Sequence, residues 1–263
     1  MKKIIFSLHI NIPKNELDYQ PPYSGETECK NQKTSRQFAE YAKWLSFRQF
    51  QYATSIEADY RLFEDDDMWQ EYKESYQKKY PFLTTYNIVN FYKIHLMYIL
   101  KEEYDQILYM DLDVVPVTDE SFFDVWNLDN GIAILKNHSY VDPSHEAIAK
   151  TQARYEETGH NSSIRSPAAK WWNSLAIIEE FGGEVDKFDH PVFNTGIVGI
   201  DRKHLEQLDY FKDFDESLEV MSDMKEDSMY PSYIQDMFGW DNETLWGAKV
   251  NLNDVRVQWL DGE

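Results

Sequence analysis

Asp111 and Asp113 stand one residue apart where the apolar run from Gln106 to Pro116 ends. In an extended chain residues i and i+2 share a side, so the two carboxylates converge while Leu112 turns toward the core. Two unit charges ~4 Å apart repel by about 4 kcal/mol at an effective dielectric near 20. A cation between them, or a shared proton, resolves this. Oxygen-only ligands suit a hard ion such as Mn²⁺ or Mg²⁺, which keeps open positions for phosphate oxygens. The pair therefore points to a metal-diphosphate site.

Other readings of the same letters are weaker. A solvated Asp-x-Asp capping a turn is common in an acidic protein, but ligands of α/β sheets gather at the carboxyl ends of strands, where this pair sits. A calcium loop needs an acid at Val115 and a glycine at Pro116 and is excluded. Phosphohydrolases of the haloacid dehalogenase type also carry Asp-x-Asp after an apolar strand, with Asp111 then the nucleophile and Asp113 the acid/base. They place it near the chain start and need a later acidic pair, which is missing.

The elements that must position the acids follow from periodicity. Residues 2–11 form a first strand whose end carries Ser7, His9 and Asn11. A polar loop from Pro13 to Thr34 precedes a helix from Ser35 to Ser55, its apolar stripe interrupted only by Gln49. A short strand from Ala58 to Glu64, the solvated cap Asp65-Asp66-Asp67 and a helix from Met68 to Tyr80 come next. The helix from Thr85 to Glu103 feeds the acidic strand, and its Lys93 either faces solvent or reaches phosphates. A short helix near Ser121, a strand from Gly131 to Leu135 and a helical or loop-rich stretch from Pro143 to Gly182 follow. In that stretch, one of Trp171 and Trp172 could offer a face to a sugar ring, though core for both is the default reading. Phe193 to Asp201 is a strand whose glycines imply close approach. Arg202 to Phe214 is expected to be one amphipathic helix and the acidic segment to Asp227 solvated. Pro231 is expected to open a helix with Gln235 and Asp236 in its N-terminal region, with weak strands at Val250–Leu252 and Val255–Trp259. Strands alternating with helices give an α/β fold with a mainly parallel sheet.

The 263 residues, 42% hydrophobic and 16% aromatic, suffice for one folded α/β domain. A formal charge of -21, from 47 acids against 26 bases, argues against a nucleic acid partner or an anionic membrane. A diphosphate ligand would need a bridging metal. Cys29 is the only cysteine, which suits a reducing, cytoplasmic setting. The opening Met1 to Phe6 run breaks at Ser7 before it resembles a signal peptide, and no transmembrane segment is expected.

Taken together, these stretches resemble the metal-dependent glycosyltransferases of GT-A fold, most closely glycosyltransferase family 8. Ile4 to Asn11 resembles that family's first strand, with His9 in place of an aspartate. Tyr92-Lys93-Ile94 resembles its Tyr-Ala-Arg-Leu region, and Tyr109-Met110-Asp111-Leu112-Asp113-Val114 its Tyr-Leu-Asp-x-Asp-Val motif. Ser121 to Trp126 looks like the following short helix. Phe193-Asn194-Thr195-Gly196 is similar to its Asn-(Ser/Ala)-Gly strand, and Ile234-Gln235-Asp236 to its Asp-Gln-Asp helix. The family's late His-x-x-Gly-x-Lys segment has no counterpart up to Glu263, and spacing assigns neither His190 nor His204 to its role.

The resemblance implies a single Rossmann-like GT-A domain with a mixed, mainly parallel central sheet flanked by helices, residues 1–115 holding the nucleotide and 116–263 the sugar and acceptor. It implies transfer of a hexose from a nucleotide-sugar donor to a carbohydrate or other hydroxyl acceptor, with retention. Asp111 and Asp113 would hold Mn²⁺ or Mg²⁺. Ser7, His9, Asn11, Lys93, Asp111, Asn194 and Gly196 would contact the donor, and Gln235 and Asp236 would act at the reacting carbon. A binding protein that kept the fold and lost turnover is the non-enzyme alternative.

Overall fold

The computed structural model describes residues 1–13, 16, 27–137, 142, 144–158, 165–188, 191–226 and 229–260. Most of the loop expected from Pro13 to Thr34 lies outside them, as do Pro143, His190, Asp227 and Glu263. The strands are β1 (Lys3–His9), β2 (Asp59–Glu64), β3 (Gln106–Met110), β4 (Ile132–Lys136), β5 (Phe193–Asp201) and β6 (Val257–Trp259). They form one six-stranded sheet in the order β2-β1-β3-β5-β4-β6. β1 runs parallel to β2 and β3, and β5 antiparallel to β3, so the sheet of this α/β fold is mixed, as the resemblance implied. The chain divides into two compact units, Met1–Ala133 with Gly196–Leu205, and Ile134–Thr195 with Glu206–Glu263.

The first unit is built around β1 and β3. Ile4, Ile5, Phe6 and all five residues of β3 are buried, the pattern of strands covered on both faces. The helices α1 (Lys30–Ser55), α2 (Asp67–Lys79), α3 (Thr85–Leu100) and α4 (Phe122–Val125) belong to it. Their starts follow from local chemistry: Asp66 accepts from the Trp69 amide at the head of α2, and Thr84 and Asn87 form a reciprocal capping box at the head of α3. α1 begins at Lys30, earlier than the expected Ser35. Gly199 is explained by packing, because a Cβ there would sit 2.4 Å from the Phe122 ring.

The second unit holds α5 (His145–Thr158), α6 (Arg165–Glu180), α8 (Phe214–Glu226), α9 (Ser232–Gln235) and α10 (Asn242–Leu252), while most of α7 (Arg202–Leu208) belongs to the first. Three expectations fail here. The helix from Arg202 stops at Leu208, since Asp209 takes a left-handed φ of 42° that ends the helical path. The acidic segment is a helix with a buried face of Phe214, Leu218, Met221 and Met224, whose spacing outweighs its charge. Val250–Leu252 is the end of α10 and no strand; Asp241 caps that helix by accepting from the amides of Glu243 and Thr244.

Candidate active site

The strand that carries the acids ends at Met110, one residue before Asp111. The chain then turns, and the Val114 amide donates to the Asp111 carbonyl at 3.0 Å. The i, i+2 alternation of an extended chain therefore does not reach Asp113, and the two acids are displayed on a β-turn. Leu112 is buried as expected, against Ala42 and Leu45 of α1. The Asp111 amide continues the β3–β5 pairing by donating to the Gly196 carbonyl at 2.7 Å, so Gly196 and Asp111 are brought together through their backbones.

Gln49, which interrupts the stripe of α1, holds this turn. It is fully buried, and its amide nitrogen donates to the carbonyls of Asp111 at 3.0 Å and Val114 at 2.9 Å. Its amide oxygen lies 2.6 Å from the Ser7 hydroxyl, which also reaches the Met110 carbonyl at 2.7 Å. Tyr60 donates to the same oxygen at 3.1 Å, and burial pushes its own hydroxyl up to about 12. Ser7 is thus fully buried with its one proton shared between structural acceptors. A lone polar residue inside an apolar helix face was the available sign of this hub.

The acids themselves are left for chemistry. Tyr109 donates to Asp111 Oδ1 at 2.5 Å; burial, and then the charge of Asp111, hold the phenol well above its usual range, so it stays a donor. Neither carboxylate makes an ion pair among the described residues. Asp113 is exposed by accessible area, yet the protein atoms around its carboxyl, and then the charge of Asp111, raise it above the aspartate range. Two neighbouring carboxylates without a basic partner, one of them raised by the charge of the other, suit a hard divalent cation. They would supply only part of its coordination, because no group of three or more His, Cys, Asp or Glu suited to a metal occurs among the described residues.

Lys93 does not face solvent. It is 5% exposed, on the buried side of α3, with its ammonium 5.1 Å from the centre of the Tyr109 ring. Tyr109 thus has the Lys93 ammonium near its ring face and the Asp111 carboxylate at its hydroxyl. His9 ends β1 with Nδ1 3.7 Å from Glu64, its partner in the parallel register. Asn11 is exposed just beyond. His204 is buried, its ring and backbone nitrogens both 2.7 Å from Asp201 Oδ1, an arrangement that caps α7.

Asn194, Gln235 and Asp236 lie in the second unit. Asn194 is part-buried beside Thr195, whose amide and hydroxyl are held by Glu243 at 2.9 and 3.3 Å. Lys170 closes that cluster, 2.5 Å from Glu243 and 3.2 Å from Asp241. None of these partners was visible as a motif. α9 has only four residues, with Pro231 as its N-cap and Asp236 as its C-cap. Gln235 and Asp236 are therefore at the helix end, contrary to the expected N-terminal placement. The Gln235 amide nitrogen donates to the carbonyls of Met224, at 3.1 Å, and Lys225. Its oxygen is buried without a hydrogen-bond partner, whereas Asp236 is exposed.

No helix among the described residues is long and apolar enough to cross a membrane. A search of curated proteins finds no match. The family model for glycosyl transferase family 8 matches residues 4–239, a span that takes in β1, the acidic turn, Lys93, the Asn194–Gly196 segment and Gln235-Asp236. The phosphohydrolase alternative gives way to that match. Because it covers most of the chain, the protein belongs to glycosyl transferase family 8 and is a glycosyltransferase of α/β fold that uses a nucleotide-sugar donor.

Proposed function

We propose that this glycosyltransferase moves a hexose from a nucleoside-diphosphate donor to a hydroxyl acceptor, with a divalent cation held by Asp111 and Asp113 and with retention of the anomeric configuration. The observation that carries the reading is the pair of acids on a pinned turn, without an ion pair and with Asp113 raised by its surroundings and its neighbour. Bound there, Mn²⁺ or Mg²⁺ would serve as Lewis acid and template for the diphosphate.

The chain's own groups have distinct parts. Tyr109 holds Asp111 in one orientation, so the carboxylate enters the site already ordered. Lys93 supplies a fixed positive charge close to that pair for the leaving diphosphate. His9, Asn11, Asn194 and Gly196 are assigned to the donor, and Ser7 supports the end of β1 that leads to His9 and Asn11. Asp236 is assigned to offset oxocarbenium-like charge, and Gln235 to orient the reacting face. In this reading the first unit is the nucleotide and metal half, the second the sugar and acceptor half, and the setting is cytoplasmic.

A panel of nucleotide-sugars screened for hydrolysis with Mn²⁺ and with EDTA tests this. Release of nucleoside diphosphate from one donor class, abolished by EDTA, is expected. Metal-independent release of the same size would remove the cation from the account, and binding without release would favour a silent sugar-nucleotide binder.

A further inference from the structure

The Trp171-Trp172 pair is resolved by the packing of the second unit. Trp171 faces Phe188, with ring centres 5.8 Å apart. Trp172 packs against Phe238 at 6.4 Å, within the core cluster of Ile148, Ala168, Ala169 and Ile234. Its remaining surface opens into a cavity of about 470 Å³ lined by Asp142, Ser144, His145, Trp172 and Tyr230. That volume lies within the ~300–1,000 Å³ of small-molecule sites.

The ring geometry constrains the ligand. His145 lies 4.7 Å from Trp172 at an interplanar angle of 41°, and Tyr230 lies 5.4 Å from Trp172 at 43°. His145 and Tyr230 are inclined by only 29°. Rings this close at these angles lean on one another as a stacked aromatic cluster with Trp172 in contact with both neighbours. An aromatic lining with a carboxylate and a hydroxyl residue beside it suits a ligand that has an apolar C–H face and a polar edge, as a pyranose has. Beside it, Asp142 accepts from the Ser144 amide at 3.0 Å. The Ser144 amide and hydroxyl hold its carboxyl below the usual aspartate range, so it remains an acceptor at neutral pH. A sugar edge offers the hydroxyl donors that such a carboxylate takes up.

We propose that this pocket binds a pyranose ring of a carbohydrate ligand, packed against Trp172 and hydrogen-bonded to Asp142, and that it serves the acceptor of the transfer. The acceptor role rests on the transferase reading; the sugar-binding role does not.

Saturation-transfer NMR on the full chain tests it with methyl glucoside, galactoside, mannoside and N-acetylglucosaminide, each without nucleotide. At least one glycoside is expected to receive saturation at its ring protons. Asp142→Ala, an exposed change, should weaken that glycoside at least about fivefold, as the loss of a charged hydrogen bond would, and Trp172→Ala should abolish its signal. If Trp172→Ala does not fold, the Asp142→Ala comparison decides alone. An unchanged affinity in Asp142→Ala overturns the proposal, as does displacement of the glycoside by tetramethylammonium at equal concentration. No saturation of any glycoside, by a preparation that still hydrolyses a nucleotide-sugar, overturns the pocket and leaves the transferase reading in place.

Discussion

Two turns of this protein handle the same problem in opposite ways. After β3, the backbone carbonyls of Asp111 and Val114 are satisfied by a residue from elsewhere, the buried Gln49 of α1. The carboxylates of that turn are left without ion pairs. At the end of α9, Gln235 itself satisfies the carbonyls of Met224 and Lys225 that α8 leaves behind. In the first region structure and chemistry are divided between residues; in the second one side chain is asked to serve both. Substitutions at the first should therefore separate stability from activity, and at Gln235 they should not.

The largest effect expected is on turnover at the acidic turn. Asp113→Asn should lower Mn²⁺-supported donor hydrolysis by more than about 100-fold while the protein stays folded, as loss of a metal ligand does. A fall below tenfold, measured at saturating donor, would mean that the acids are ornamental. Next comes Gln49→Leu, which keeps the volume but strands two carbonyls. It should lower the stability measured by urea unfolding by about 2–3 kcal/mol, and an unchanged midpoint would remove the division of labour.

At the other turn, Gln235→Ala and Asp236→Ala should each lower turnover more than about tenfold with donor affinity held within about threefold. Only Gln235→Ala should also lose stability. If both turn over normally, the assignment of chemistry to this helix end fails. Lys93→Ala should weaken a nucleoside diphosphate by about tenfold, the low end of a charged contact at ~1.5–3 kcal/mol, and leave the nucleoside unaffected. An equal loss for both would make Lys93 a packing residue.

The smallest effect is a pH dependence. The raised carboxyl of Asp113 keeps a proton in the folded chain that the unfolded chain has already released. Stability of the metal-free protein therefore falls as pH rises from the ordinary aspartate value through the raised one, and stays lower above it. Asp113→Asn removes that penalty, so its melting temperature should match the wild type in acid and exceed it at neutral pH. A variant that melts lower at neutral pH would contradict the sign.

How much of this was legible follows from the physics of each part. β3 and β5 could be read because apolar runs of strand length bounded by polar residues have few other solutions; β5 spans Phe193 to Asp201 as expected. The head of α2 was legible from the Asp65-Asp66-Asp67 cap, in which Asp66 satisfies a free amide, and α3 starts at the expected Thr85, although the Thr84–Asn87 capping box that fixes it was not read. The acid pair was found, but the turn that presents it was not, because a hydrogen bond from Gln49, 62 residues away in sequence, completes it. A separation of 48 residues hides Glu243 from Thr195 in the same way. α8 was misread because net charge was given more weight than the spacing of Leu218, Met221 and Met224.

The central claim is that the donor binds through a cation held by the acidic turn. Calorimetric titration of the sugar nucleotide identified by the hydrolysis panel, in Mn²⁺ and in EDTA, with wild type and Asp113→Asn, tests it most directly. The account predicts saturable binding by the wild type in Mn²⁺ and loss of that binding both in EDTA and in the variant. Equal affinity with and without the metal would contradict it.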